Sequence, residues 1–366
     1  MIITRYLFRE ILGTAIALLS ILLLIFLSHR FIRYLADASA GELPSQFIYQ
    51  LLGLKLLSVM SIIIPLAFFL AVLLVVGRLY TDNEMAAMGA CGIGLPFLLQ
   101  RLVLLSLCVA MLVGYLSLWV SPWAERTLKF REAEAAHVAD IAGVVAGRFK
   151  NFSRGNGVFY VEDVDKENQR MLGVFVALDQ LGKKTLLASE VAYETFDEIT
   201  GARYLLMEEG RRYEGTPGQA DFTVTEFESH SILLSRAVSP EKRIRMDMIS
   251  SEELWRSNDP AYQAELQVRY STALSLVLLT VLAVLLSHTT PRQGRYAKVL
   301  VAILIYFLYA NLIQISQKSV ARGQLPVDIG VWWVHGLMLA AIIGLMIQRG
   351  VISRYMFLRQ PKVITG

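Results

Sequence analysis

A chain of 366 residues with 55% hydrophobic and only 18% charged side chains has too little polar surface for an ordinary soluble globule, so its composition calls for a bilayer. Two cysteines, Cys91 and Cys108, exclude a disulfide scaffold and leave thiol or metal chemistry unsupported. The net charge of +4 is small, and no nucleic-acid motif accompanies it.

Arg5 and Arg9 precede the first apolar run, but His29, Arg30 and Arg33 follow it in place of a small-residue cleavage site, which predicts a retained span. Six stretches lack Asp, Glu, Lys and Arg: residues 11–28, 56–77, 102–124, 270–291, 299–317 and 329–348. At about 1.5 Å per residue each matches a hydrocarbon slab of about 30 Å, predicting six transmembrane helices in two groups of three. Pro65 and Gly114 mark kinks or close packing within them.

Residues 80–92 connect spans two and three. Thr81 and Glu84 have capping-box spacing, Met85 and Met88 fall on one helical face, and Gly89 and Gly92 can end the turn. A short amphipathic surface helix follows, resting on lipid headgroups or docking a partner; Asp82 and Glu84 beside the methionines favour a protein partner.

With the N-terminus inside, the short cytoplasmic segments hold Arg5, Arg9, Arg78, Arg101, Arg292, Arg295, Lys298, Arg349, Arg354, Arg359 and Lys362, against Arg30, Arg33, Lys55, Lys318 and Arg322 outside. Both termini are then cytoplasmic and the long segment 125–269 lies on the outer face. The expected organisation is residues 1–130 for spans one to three, 131–255 for a β domain, and 256–366 for spans four to six with a cytoplasmic tail.

Within the insert, short β-favouring pieces at 158–161, 172–178, 185–193, 204–208, 212–214 and 221–227 alternate with turn signals at 155–157, 179–182, 199–201 and 216–218. That spacing predicts an antiparallel sandwich or jelly roll. Residues 125–140, rich in Ala, Glu and Arg, are expected to prolong span three as a helix. No protease, esterase or Cys-His pattern occurs. Gly182-Lys183-Lys184-Thr185 ends like a phosphate loop but has Ala177 where the upstream glycine belongs, so no nucleotide site is expected. Asn151-Phe152-Ser153 matches a glycosylation acceptor, a pattern common by chance.

Arg30 and Arg33 after span one, with Lys318 and Arg322 after span five, run against the positive-inside bias. Each alone reads as a snorkelling side chain; together they suit an anionic phosphate headgroup, which guanidinium binds through paired hydrogen bonds. No span carries an acidic residue, which disfavours an ion-coupled carboxylate relay.

The chain resembles the lipopolysaccharide export permeases LptF and LptG, most of all the F-type subunit, over its whole length. The likeness is carried by residues 1–10, by Leu79-Tyr80-Thr81-Asp82-Asn83-Glu84, by Met88-Gly89-Ala90-Cys91-Gly92 and by Pro291-Arg292-Gln293-Gly294-Arg295. It implies a polytopic α-helical inner-membrane protein, three spans plus three, with an inserted periplasmic β-jelly-roll domain. It further implies a heterodimer with an LptG-type subunit, an LptB-type ATPase dimer that binds the ATP, and an LptC-type bridge protein receiving lipopolysaccharide. By the same resemblance, Glu84 contacts the ATPase with Asp82, Met85 and Met88 beside it. Arg30, Arg33 and Lys318, and more weakly Arg322, meet lipid phosphates. The expected role is a transport subunit without cofactor or catalytic residues; the rival expectations are a membrane scaffold or regulator, and a lipid-modifying membrane enzyme.

Overall fold

The computed structural model describes residues 2–39, 43–142, 147, 149–152, 157–165, 170–180, 183–196, 203–215, 223–235, 245–288 and 295–349. They divide into two compact units, one of residues 1–36, 46–132 and 245–366, the other of 37–45 and 133–244.

The first unit is helical. Its helices are α1 (Ile2–Ser39), α2 (Ile48–Thr81), α3 (Glu84–Ala90), α4 (Leu95–Tyr115), a π-helical stretch (Leu116–Val120) that runs into α5 (Ser121–Ala142), α6 (Ser251–Arg256), α7 (Pro260–Leu286), α8 (Arg295–Ala321) and α9 (Trp332–Gln348). Five helices among the described residues are long and apolar enough to cross a membrane. In lipid, backbone groups must be paired within the segment, and continuous helices meet that demand. Helices α1, α2 and α8 and the α4–α5 run outrun their charge-free stretches at both ends and α7 at its N-terminal end, because the flanking polar residues are also good helix formers. The expected extension beyond span three is present as α5.

The sixth expected span is shorter than expected. Residues 329–331 belong to a turn in which Gly330 adopts φ +47°, and the amide side chain of Gln267 on α7 donates to Val327 O at 2.8 Å and accepts from Val331 N at 3.2 Å. A Cβ at residue 330 would collide with Gln267, so glycine is required there. Helix α9 therefore starts at Trp332 and has 17 residues, about 25 Å at about 1.5 Å each.

Local signals explain the other helix ends. Asp259 Oδ1 accepts from Ala261 N at 2.8 Å and Pro260 occupies the first turn of α7; Ser250 caps α6. Pro65 lies buried inside α2, and Gly114 approaches Ala273 on α7 closely, as a small residue at a helix crossing does. The core is built on α2, α4 and α7, with Phe69, Leu79, Leu102, Leu279 and Ala283 fully buried.

The second unit holds a six-stranded antiparallel sheet: β1 (Phe149–Phe152), β2 (Gly157–Asp165), β3 (Arg170–Gln180), β4 (Lys183–Phe196), β5 (Arg203–Gly215) and β6 (Thr223–Ser235). Each strand pairs with its sequence neighbours, a meander, and no jelly-roll crossover occurs among the described strands. Phe159, Val161, Val174, Val176, Leu187, Leu205, Met207 and Ile232 form its core. The predicted pieces 204–208 and 212–214 are one strand, β5. The ladders skip Glu162, Gly173, Glu190, Glu209 and Glu228 in turn. Across that row the register is unchanged, while the inward phase of β4 shifts from Thr185, Leu187 and Ser189 to Ala192 and Glu209 takes φ +47°; the shift of register lies between Arg203 and Tyr204. Lys183, Lys184 and Thr185 open a strand rather than the helix a phosphate loop needs. Most of the expected turns, and Ser153 of the acceptor pattern, lie outside the described residues.

Candidate functional site

The residues singled out by sequence fall at opposite ends of the helical unit. Arg30 and Arg33 stand one turn apart on α1, beyond its charge-free stretch. Arg30 lies over the Phe26 ring at 5.8 Å from its centroid, and Arg33 Nη2 meets His29 Nε2 at 3.5 Å. Lys318 lies in the last turn of α8 and Arg322 just past its end, Arg322 N donating to Lys318 O at 3.1 Å; both are exposed. None of the four has an acidic partner among the described residues.

At the other end, the expected capping box does not form. Thr81 is the last residue of α2, and its hydroxyl donates to Arg78 O at 2.9 Å. Asn83, in the left-handed region at φ +60°, precedes α3 and caps nothing with its side chain. Asn tolerates that conformation better than most residues, which lets the chain turn sharply between α2 and α3. The expected glycine stop is present: Gly92 takes φ +81°, and Ile93 N donates to Met88 O at 2.9 Å.

Helix α3 is shorter than the stretch 80–92 and differently disposed. Met85 and Met88 are half-buried and pack against the helical core. They are not the free apolar face that the sequence suggested. Exposed instead are Asp82, Ala86, Ala87, Gly89 and Ala90. Glu84 is half-buried and accepts from Tyr6 Oη at 3.1 Å. Arg78 Nη2 donates to Tyr6 Oη at 3.1 Å and to Glu10 Oε2 at 2.9 Å. This Glu84–Tyr6–Arg78–Glu10 chain ties α3, α1 and α2 together. Sequence reading missed Tyr6 and Glu10, because a partner 78 residues away leaves no local spacing to detect.

The family model for the lipopolysaccharide export system permease LptF/LptG matches residues 5–348. This chain belongs to the LptF/LptG family. The lipopolysaccharide export system permease protein LptF of Escherichia coli (strain K12) is 32% identical over 351 residues, 94% of this chain and 94% of that protein. The proteins of the same name from Escherichia coli O157:H7 and Shigella flexneri match to the same extent.

In this LptF/LptG-family chain the helices also carry polar groups that sequence reading did not connect. His335 on α9 hydrogen-bonds Tyr309 Oη of α8 at 2.6 Å through Nδ1 and Ser271 Oγ of α7 at 2.7 Å through Nε2. All three are buried. Such a relay between three apolar helices fixes their mutual rotation, since the alternative is an unpaired polar group in hydrocarbon. A second buried polar set surrounds Arg269, which donates to Glu265 Oε1 at 3.1 Å, Ser251 Oγ at 2.8 Å and Met246 O at 3.2 Å.

Proposed function

We propose that this chain is the transmembrane subunit of an ABC-type exporter that extracts lipopolysaccharide from the periplasmic leaflet of the inner membrane and passes it to a periplasmic bridge protein. In this reading both termini are cytoplasmic, the β domain is periplasmic, and ATP is hydrolysed by a partner ATPase dimer. One observation carries the proposal: α1, in a family named for lipopolysaccharide export, has uncovered apolar flanks and ends in Arg30 and Arg33 without acidic partners.

The guanidinium groups of Arg30 and Arg33 are suited to lipid phosphates, with Lys318 and Arg322 as a second cationic patch. Withdrawing each acyl methylene from the bilayer costs about 0.8 kcal/mol, so a multi-chain lipid needs external work. That work enters at α3, where Asp82 and Glu84 face the ATPase and the Tyr6–Arg78 chain hands movement to α1 and α2. An LptG-type subunit covers the flank of α1, and an LptC-type protein accepts the lipid.

The test is a reconstituted complex with photocrosslinking to lipopolysaccharide. Arg30→Glu with Arg33→Glu lowers the yield at least about tenfold, the equivalent of one lost charge-assisted hydrogen bond. Glu84→Ala lowers recovery of the ATPase with the complex. Equal crosslinking by the double variant removes the phosphate-binding role, and unchanged recovery removes docking through α3.

A further inference from the structure

The end of the helical unit where span three leaves for the insert contains a cavity of about 570 Å³. Six charged residues line it: Lys55 of α2, Glu125 of α5, Arg245 and Asp247 ahead of α6, and Glu265 and Arg269 of α7. Most of their bonding capacity is spent on each other. Glu125 Oε1 accepts from both Lys55 and Ser58. Glu265 accepts from Arg269 at 3.1 Å and from Gln317 of α8 at 2.7 Å. Arg245 donates to Asp247 Oδ2 at 2.7 Å.

Two groups are left over. Asp247 Oδ1 is buried with no hydrogen-bond partner. The Lys55 ammonium, with three donors, has Glu125 as its hydrogen-bond partner, leaving donor capacity at the cavity wall. Fold stability alone does not account for the Lys55–Glu125 and Arg269–Glu265 pairs, because apolar residues of the same volume hold a core at least as well as buried ion pairs do.

The chemistry of an occupant follows from this lining. Three cations and three carboxylates balance, so a simple anion or a simple cation meets a like charge wherever it sits. A molecule carrying both charges meets a partner for each. Lys55, Glu125 and Arg269 stand one residue beyond the charge-free stretches 56–77, 102–124 and 270–291, which is headgroup depth. The space holds well over a dozen waters at about 30 Å³ each, enough for a small headgroup.

We propose that this cavity binds the headgroup of a zwitterionic aminophospholipid, its phosphate toward Lys55 and its primary ammonium toward the carboxylate of Asp247, whose side chain is 34% exposed. The site stands on the geometry of the helical unit and does not depend on the transport reading. A primary ammonium donates hydrogen bonds to Asp247, whereas a quaternary ammonium cannot.

Native mass spectrometry of the delipidated full-length chain, offered phosphatidylethanolamine, phosphatidylcholine or phosphatidylglycerol, tests it. Phosphatidylethanolamine is retained about tenfold more than the other two, and Asp247→Asn removes that preference without changing phosphatidylcholine retention. The paired substitution Lys55→Gln with Glu125→Gln, which leaves no lone buried charge, weakens phosphatidylethanolamine as well. Equal retention of the three lipids overturns the proposal even if every variant fails to fold, as does an Asp247→Asn chain that keeps the preference.

Discussion

Helices α1 and α2 are alike in hydropathy and opposite in surroundings. Of the most apolar stretch of α2, 61% is buried within the chain, against 6% for α1. Along α1 only Leu7, Ile11 and Tyr34 are buried, while Phe68, Phe69, Val72 and Val76 of α2 meet α4 and α7 in the core. Hydropathy reports that a segment avoids water. It does not report whether lipid, another chain or the protein's own core takes water's place. In this chain the inner helices hold the fold and the outer ones present surface.

Truncating side chains on the two helices tests that contrast most severely. Phe69→Ala, at a residue with no exposure, is expected to lower stability by about 3–5 kcal/mol. Ile25→Ala on α1, where the side chain is 61% exposed, should leave the thermal midpoint of the isolated chain unchanged. Equal shifts would erase the distinction between the helices. Next in size is Arg269→Met, which strands the Glu265 carboxylate and is expected to cost about 3 kcal/mol; adding Glu265→Leu should recover most of it in a denaturation series. Ser271→Ala removes one bond of the relay between α7, α8 and α9, and about 1 kcal/mol with it. A double cycle with His335→Phe would show whether the relay acts as a unit.

The smallest effect contrasts the insert with the helices. Burial, with the Arg212 charge adding to it, pushes His230 below its ordinary value of 6.5. As pH falls, the unfolded chain takes up that proton before the folded one does. The His230 contribution to stability is therefore complete above pH 6.5 and lost below it. Thermal melts of the full chain between pH 7 and 5 should show this acid limb, and His230→Gln should flatten it.

Much of the helical unit was legible because the lipid interior imposes one rule, that charges stay out, and charge-free stretches are visible in any chain. Helix ends were less legible. Lys55, Glu125 and Arg269 looked like the borders of spans, yet they continue the helices, Lys55 pairing with Glu125 and Arg269 with Glu265. The insert's strands were found by composition, but one strand was read as two because Glu209 and Gly210 look like a turn when the ladders that continue on both sides of them are unseen. The cationic residues near the ends of α1 and α8 stood out in the sequence, since an arginine there is unusual by itself. The bonds that hold Glu84 could not be read, because Tyr6 and Arg78 come from two other helices.

The meander has a consequence for biogenesis. Each described strand of the insert after the first pairs with the one made just before it, so this sheet can zip up in chain order during synthesis. The helical unit has no such freedom, for α2 and α4 find their main partner in α7, which is translated after the whole insert. A ribosome stalled near residue 250 would thus carry a finished β domain and a half-built membrane core with its apolar seam open to chaperones or to misassembly.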